Sequence, residues 1–128
     1  MRLLLDSHAL IWALDSPEKL GTQACKLLKD VSNHLYFSSA TIWEIAIKVG
    51  IKKLSLSVPF KQWMEQAIAY LDITTLPITI SATDLQVKLP VRHRDPFDRL
   101  LVAQAMVENM GIITKDKKII CYDVETYW

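Results

Sequence analysis

Short apolar runs, each closed by a polar or acidic residue and followed by a helical repeat, constrain this chain more than any other feature. Met1 to Leu5, Leu35-Tyr36-Phe37, Ile73 to Leu76 and Ile112-Ile113-Thr114 are runs of the length that buried strands use. Between them, apolar residues recur every three to four positions. The spacing predicts helices over about 8–14 (Leu10, Ile11, Leu14), 22–31 (Ala24, Leu27, Leu28, Val31), 39–49 (Ile42, Ile45, Ala46, Val49) and 59–71 (Phe60, Trp63, Met64, Ala67, Leu71). Shorter helices are expected over 81–89, capped by Ser81 and stopped by Pro90, and over 96–109, opened by Pro96 and ended by Gly111. Ile119-Ile120 is expected to begin a last, weaker strand. Strands alternating with helices define an α/β sandwich with a mainly parallel sheet of four to five short strands.

A chain of 128 residues that is 51% hydrophobic and 23% charged folds as one domain, 1–128, with a sizeable core. The net charge of +1 does not announce a nucleic-acid binder, so any such binding must come from local charge or from a bound cation. Cys25 and Cys121 have no metal-ligand spacing and are expected to be reduced residues in or near the core. The opening run is broken at once by Asp6 and nothing approaches a membrane span, so a cytoplasmic protein is expected.

In open parallel sheets, ligands bind beyond the carboxyl ends of the strands. Asp6 directly follows the first strand and Asp116 closely follows the fourth. Glu44 lies about two turns into the helix after the second strand, and Asp98 stands in the first turn of the helix leading to the fourth. Parallel pairing would deliver all these acids to one rim. Carboxylates so crowded do not ordinarily stay ionised together, and a divalent cation resolves the conflict. Hard oxygen ligands suit Mg²⁺ or Mn²⁺.

Each acid also has a plainer reading. Asp6 and Ser7 are good helix N-caps, and Glu44 stands four residues before Lys48, the favourable order for an ion pair. Asp95-Pro96 reads as cap and first helical residue, with Asp98 favoured there by the helix dipole. Asp116 suits a turn. The case for a metal rests on the acids together.

Lys48, Arg94 and Arg99, with Lys52, Lys53, Arg92, Lys115, Lys117 and Lys118, put positive charge near the acidic positions. Such charge can guide a phosphate backbone, although a solvated mixed-charge surface explains it equally well. His8 is expected near the site in a structural or substrate-contact role. His34 and His93 are expected at the surface, His93 in a charged loop able to touch RNA.

The segments Leu3-Leu4-Leu5-Asp6-Ser7-His8-Ala9-Leu10-Ile11-Trp12, Ile42-Trp43-Glu44-Ile45-Ala46, Arg94-Asp95-Pro96-Phe97-Asp98-Arg99 with Ala103-Gln104-Ala105, and Ile113-Thr114-Lys115-Asp116 together resemble the PIN domain. Within that family they resemble VapC-type toxins of bacterial toxin–antitoxin pairs, in order and over essentially the whole chain. The resemblance implies a three-layer α/β/α sandwich. It implies Asp6, Glu44 and Asp98 as core acids, and Asp116 as a more variable fourth acting directly or through water. It gives supporting roles to Ser7 and to the hydroxyl of Thr114. It also implies Mg²⁺- or Mn²⁺-dependent RNA hydrolysis leaving a 5′-phosphate and a 3′-hydroxyl, often as a homodimer, and silencing by a VapB-like antitoxin that can join it in a hetero-oligomer.

Two other readings compete. A phosphatase-like hydrolase would use Asp6 as covalent nucleophile, but residue 8 is His rather than the second acid such enzymes carry. A non-catalytic binding module would use its acids only as helix caps. Trp12, Trp43, Trp63 and Met64 are more large apolar side chains than a small core obviously needs, and some are expected to line an antitoxin groove or dimer face.

Overall fold

The central strand of the sheet is β1 (Arg2–Leu5), which pairs in parallel with β2 (His34–Ser38) on one edge and β4 (Gly111–Ile113) on the other. In the computed structural model, which describes all residues 1–128, β3 (Thr74–Leu76) extends the sheet beyond β2, and β5 (Thr126–Tyr127) extends it beyond β4. The order is β3-β2-β1-β4-β5, and every pairing is parallel. Seven helices flank it: α1 (Ser7–Asp15), α2 (Thr22–Lys29), α3 (Ser39–Gly50), α4 (Phe60–Leu71), α5 (Ile80–Lys88), α6 (Pro96–Glu108) and α7 (Lys117–Ile120).

Both faces are dry at the centre of the sheet, as a parallel sheet covered by helices requires, while Thr74 and Thr75 of the edge strand β3 are exposed. Leu3 and Leu5 pack with Leu10, Ala24, Ile45, Trp63 and Met64 on the side of α1 to α4. Leu4 points the other way, onto Leu101, Val102, Ala105 and Ile119 from α6 and α7. This alternation makes three layers, α/β/α. Trp63 is wholly buried, and Asp15 of α1 accepts its indole N–H at 3.0 Å, which satisfies the one polar atom such a ring carries into a core.

Several local expectations change. Ile119-Ile120 is helical, because the Asp116 carboxylate accepts the Lys118 N–H at 2.8 Å and caps a turn there. The fifth strand falls at Thr126–Tyr127 instead. The cap of α5 is Thr79, accepting from Ala82 N–H at 3.1 Å, rather than Ser81. α2 stops at Lys29, so Val31 is fully exposed rather than on an inner face. α6 ends on Asn109 in the left-handed conformation (φ 54°), and Gly111 belongs to β4. Its missing side chain makes room for the Tyr127 ring, which would stand 2.5 Å from a Cβ. Cys121 is exposed at the end of α7; Cys25 is half-buried, and both are free thiols.

Gly21 is a second close approach, since a Cβ there would collide with the backbone and ring of Trp128. Gly50, the last residue of α3, has open space around it. Gly21→Ala should therefore destabilise the fold by about 1–3 kcal/mol. Gly50→Ala should stabilise it by about 0.5 kcal/mol through helix propensity and a less free unfolded chain. Thermal melts of the two variants, moving in opposite directions, check this.

Candidate metal centre

The register of the sheet places Asp6, Ser38 and Thr114 at one level. Leu5 is paired with both Phe37 and Ile113, so the residues that follow these three stand at the same height. Asp6 N–H still donates to Ile113 carbonyl at 3.2 Å. This level lies between β1 and β4, where the chain order reverses, the position at which open α/β sheets bind ligands.

The acids arrive there by different routes. Asp6 caps α1, its Oδ1 accepting the Ala9 N–H at 2.7 Å, while Oδ2 accepts a short hydrogen bond from the Thr114 hydroxyl. Ser38 caps α3 by accepting Ala40 N–H at 3.1 Å, and that helix carries Glu44 inward. Asp95 caps α6, accepting from Phe97 N–H at 2.8 Å and Asp98 N–H at 3.2 Å, which sets Asp98 in the first turn. Asp116 caps α7 and donates its own N–H to the Thr114 hydroxyl oxygen at 3.0 Å.

The acids are linked. Ser7 Oγ stands 3.4 Å from Glu44 Oε2, which also receives Lys48 Nζ at 2.8 Å. Thr114 joins Asp6 to the backbone of Asp116. His93 Nε2 lies 3.0 Å from both Asp98 Oδ2 and Asp116 Oδ2. The side chains of His93, Asp98 and Asp116 form a group close enough to share one ion. Asp98 also feels the charges of Asp95, Glu44 and Asp6, so the named carboxylates occupy one electrostatic neighbourhood.

Burial and caps are therefore not alternatives here. Asp6 and Glu44 are 4% and 5% exposed, far from the solvated surface pair that the Glu44–Lys48 spacing alone suggests. Desolvation pushes Asp6 above the ordinary carboxylate value, outweighing the hydrogen bonds from Thr114 and Ala9. Asp98 is pushed up to about 7, first by burial and then by Asp95 and Glu44. Burial also acts on Asp116, but the Lys118 N–H and His93 outweigh it and hold that carboxyl below the usual value. Lys48 is lowered by burial but raised more by Glu44, Asp95 and Asp98.

The remaining expected residues separate into two groups. Arg99 is turned into the protein: its guanidinium donates to the carbonyls of Gln86 at 2.8 Å and Pro90 at 3.1 Å, closing the end of α5. That geometry gives it a scaffolding role in place of the expected RNA contact. Lys48 is held by Glu44. His8 and Arg94 are exposed, His8 with its ring 5.5 Å from that of Trp12. Trp63 and Met64 are core; Trp43 is 65% exposed and meets Phe97 edge-on at 5.8 Å.

His93 is the residue that sequence reasoning misplaced. It is 8% exposed rather than at the surface, because the hydroxyl of buried Tyr122 accepts its backbone N–H at 3.1 Å and that of Arg92 at 3.0 Å. No local pattern marks it, because the contact that turns it inward comes from Tyr122, 29 positions further on.

The donor set fits a hard divalent cation. Buried carboxyls raised by mutual repulsion and desolvation, made of oxygen and facing one Lys already paired, form the setting that such an ion stabilises. The class defined by fold and site is thus an all-parallel α/β domain with an acidic cluster at its topological switch point. The chain belongs to the PIN domain family, whose model it matches over residues 3–124. It is 28% identical over 118 residues to the ribonuclease VapC22 of Mycobacterium tuberculosis, covering 91% of this chain and 88% of that protein. It shares its fold with a chain of VapBC2 from Rickettsia felis, solved bound to a DNA fragment from its promoter (TM-score 0.70, 16% identity, 99% of this chain and 98% of that one). A toxin–antitoxin complex from Klebsiella pneumoniae also contains the fold (TM-score 0.65, 19% identity, 98% and 96%).

The raised Asp98 carboxyl makes a signed prediction. The fold binds this proton more tightly than the unfolded chain, whose group titrates near 3.8. Without divalent cations, stability should therefore fall as pH rises from about 4 to about 7. Asp98→Asn removes that penalty. The metal-free variant should melt roughly 3–8 °C above the parent at pH 8, with the gap closing towards pH 4, as read by calorimetric melts in chelator.

Proposed function

We propose that this chain is a metal-dependent endoribonuclease toxin of the VapC type, cutting RNA in the cytoplasm and silenced by a VapB-like antitoxin. The observation that carries it is the linked set Asp6, Glu44, Asp98 and Asp116 at the switch point of a PIN fold, with Asp98 raised to about 7. Supporting it are a named ribonuclease among its relatives and toxin–antitoxin complexes among its structural neighbours.

Asp6, Glu44 and Asp98 would hold Mg²⁺ or Mn²⁺, with Asp116 acting directly or through water. When bound, such an ion neutralises charge on a phosphodiester and activates the attacking water. The chain's own residues set the acids. Thr114 orients Asp6, Ser7 and Lys48 orient Glu44, and the Asp95 cap fixes the backbone from which Asp98 projects. The exposed cations Arg94, Lys115, Lys117 and Lys118 and the exposed His8 are placed to meet the RNA backbone. Trp43, beside Glu44, offers an apolar contact to an antitoxin segment covering the site or to a second copy in a homodimer.

The non-catalytic reading keeps one observation in its favour, that Asp6, Asp95 and Asp116 all cap helices. It does not account for Glu44 and Asp98, which cap nothing and are desolvated.

Asp98→Asn should abolish RNA cleavage and saturable Mn²⁺ binding while leaving circular dichroism unchanged. The loss should exceed the about 10–100-fold that outer-shell substitutions cost at metal sites. The parent's products should carry 5′-phosphates. Full cleavage by the variant would remove Asp98 from the site, and absence of Mn²⁺ binding by the parent would favour the non-catalytic module. A co-transcribed small protein should co-purify with the chain; a monomer that binds no such partner would remove the antitoxin and dimer parts.

A further inference from the structure

His93 is a buried polar side chain aimed into the acidic cluster, and its two ring nitrogens are occupied differently. Nδ1 accepts the backbone N–H of Asp95 at 3.2 Å. A neutral imidazole with an accepting Nδ1 carries its proton on Nε2. That N–H has hydrogen-bond geometry towards Asp116 Oδ2 at 3.0 Å, whereas Asp98 Oδ2, equally close, stands off its line.

A metal-ligating His needs the opposite arrangement, with Nε2 bare and Nδ1–H donating to an acceptor. Here Nδ1 meets a donor. The direction of the Nε2 lone pair is also taken, since a cation about 2.1 Å along it would lie inside the Asp116 oxygen. The ring is held in place. Tyr122 hydroxyl accepts the His93 backbone N–H at 3.1 Å and donates to Pro90 carbonyl at 2.8 Å, and Arg99 holds the same carbonyl at 3.1 Å.

Asp116 is thereby bonded on both oxygens, Oδ1 by Lys118 N–H and Oδ2 by His93, whereas Asp98 Oδ1 accepts nothing within the chain. We propose that His93 is a positioning residue of the centre and not one of its ligands: its Nε2–H holds Asp116 in place, in a tautomer dictated by the Asp95 backbone. This rests on the metal-dependent reading above only for what the positioned acid serves.

The tautomer can be read directly. In protein labelled with ¹⁵N-histidine at pH 8, long-range ¹H–¹⁵N spectra should show His93 as the Nε2–H form without metal and unchanged on saturation with Mg²⁺. An Nδ1–H form in the metal-free protein, or conversion to it on adding Mg²⁺, would overturn the proposal, the second outcome making His93 a ligand. Calorimetry with Mn²⁺ supplies the second arm. His93→Ala should weaken binding about 10–100-fold, and His93→Gln, which keeps an N–H donor, should recover most of that loss. A Gln variant as weak as the Ala variant would overturn the donor role. If the parent binds no Mn²⁺, the metal reading fails, and the metal-free spectrum alone decides the tautomer.

Discussion

The pairing of β1 on both edges is the constraint on which the rest depends. A strand hydrogen-bonded to β2 and β4 and covered on both faces along Leu3–Leu5 is shut off from water at its carboxyl end, so the residue that leaves it there is also carried into the interior. That residue is Asp6. Its charge is costly at such a depth, and the fold meets part of the cost with the Ala9 N–H of a helix start and the hydroxyl of Thr114 from the neighbouring strand. The same register that buries Leu3, Leu4 and Leu5 on alternating faces therefore brings Thr114 to Asp6.

Capping gives the other acids their positions. Ser38, Asp95 and Asp116 each terminate a segment by accepting backbone N–H groups, and the helices so started carry Glu44 and Asp98 to the rim. The local rule that starts a helix and the collective rule that gathers negative charge use the same residues. For this reason the plain and the chemical readings of Asp6 and Asp116 are both true. They part company only at Glu44 and Asp98, where burial is not repaid by a cap.

How far the sequence was legible follows from the range of the interactions involved. The first four strands, helices α1 to α6 and the caps at Asp6 and Asp95 depend on neighbours within a few residues, and their patterns are plain, whereas α7 reads as a strand. The fifth strand was missed because two residues at the end of a sheet carry almost no pattern; what makes Thr126–Tyr127 a strand is β4 beside it. The shared rim was an expectation from parallel pairing and from the place of each acid at or near a strand or helix end. The inward turn of His93 and Arg99 was not legible. His93 sits in a charged loop and Arg99 in the first turn of α6; both read as surface, and only contacts across about thirty positions in His93–Tyr122, or across the α5–α6 corner in Arg99–Gln86, turn them inward.

The net charge of +1 is the least informative quantity about such a chain, and the structure explains why. The acids that matter gather in a cluster, Asp6 and Glu44 buried and Asp98 and Asp116 half-buried, whereas Arg94, Lys115, Lys117 and Lys118 face water. Summed over the chain these cancel; sorted by depth they do not. A phosphate approaching the proposed centre meets positive charge first, and further in it meets carboxylates that repel it unless a divalent cation has already reversed their sign. Lys115 adds a specific detail, its ammonium lying 4.6 Å from the centre of the Trp12 ring, so that the cation is held over an aromatic face instead of folding back onto Asp116. On this arrangement, attraction for a polyanion depends on the occupancy of the acidic cluster more than on the total charge of the protein. Salt should then weaken the outer contacts while leaving the inner site, which is desolvated and less screened, comparatively unaffected.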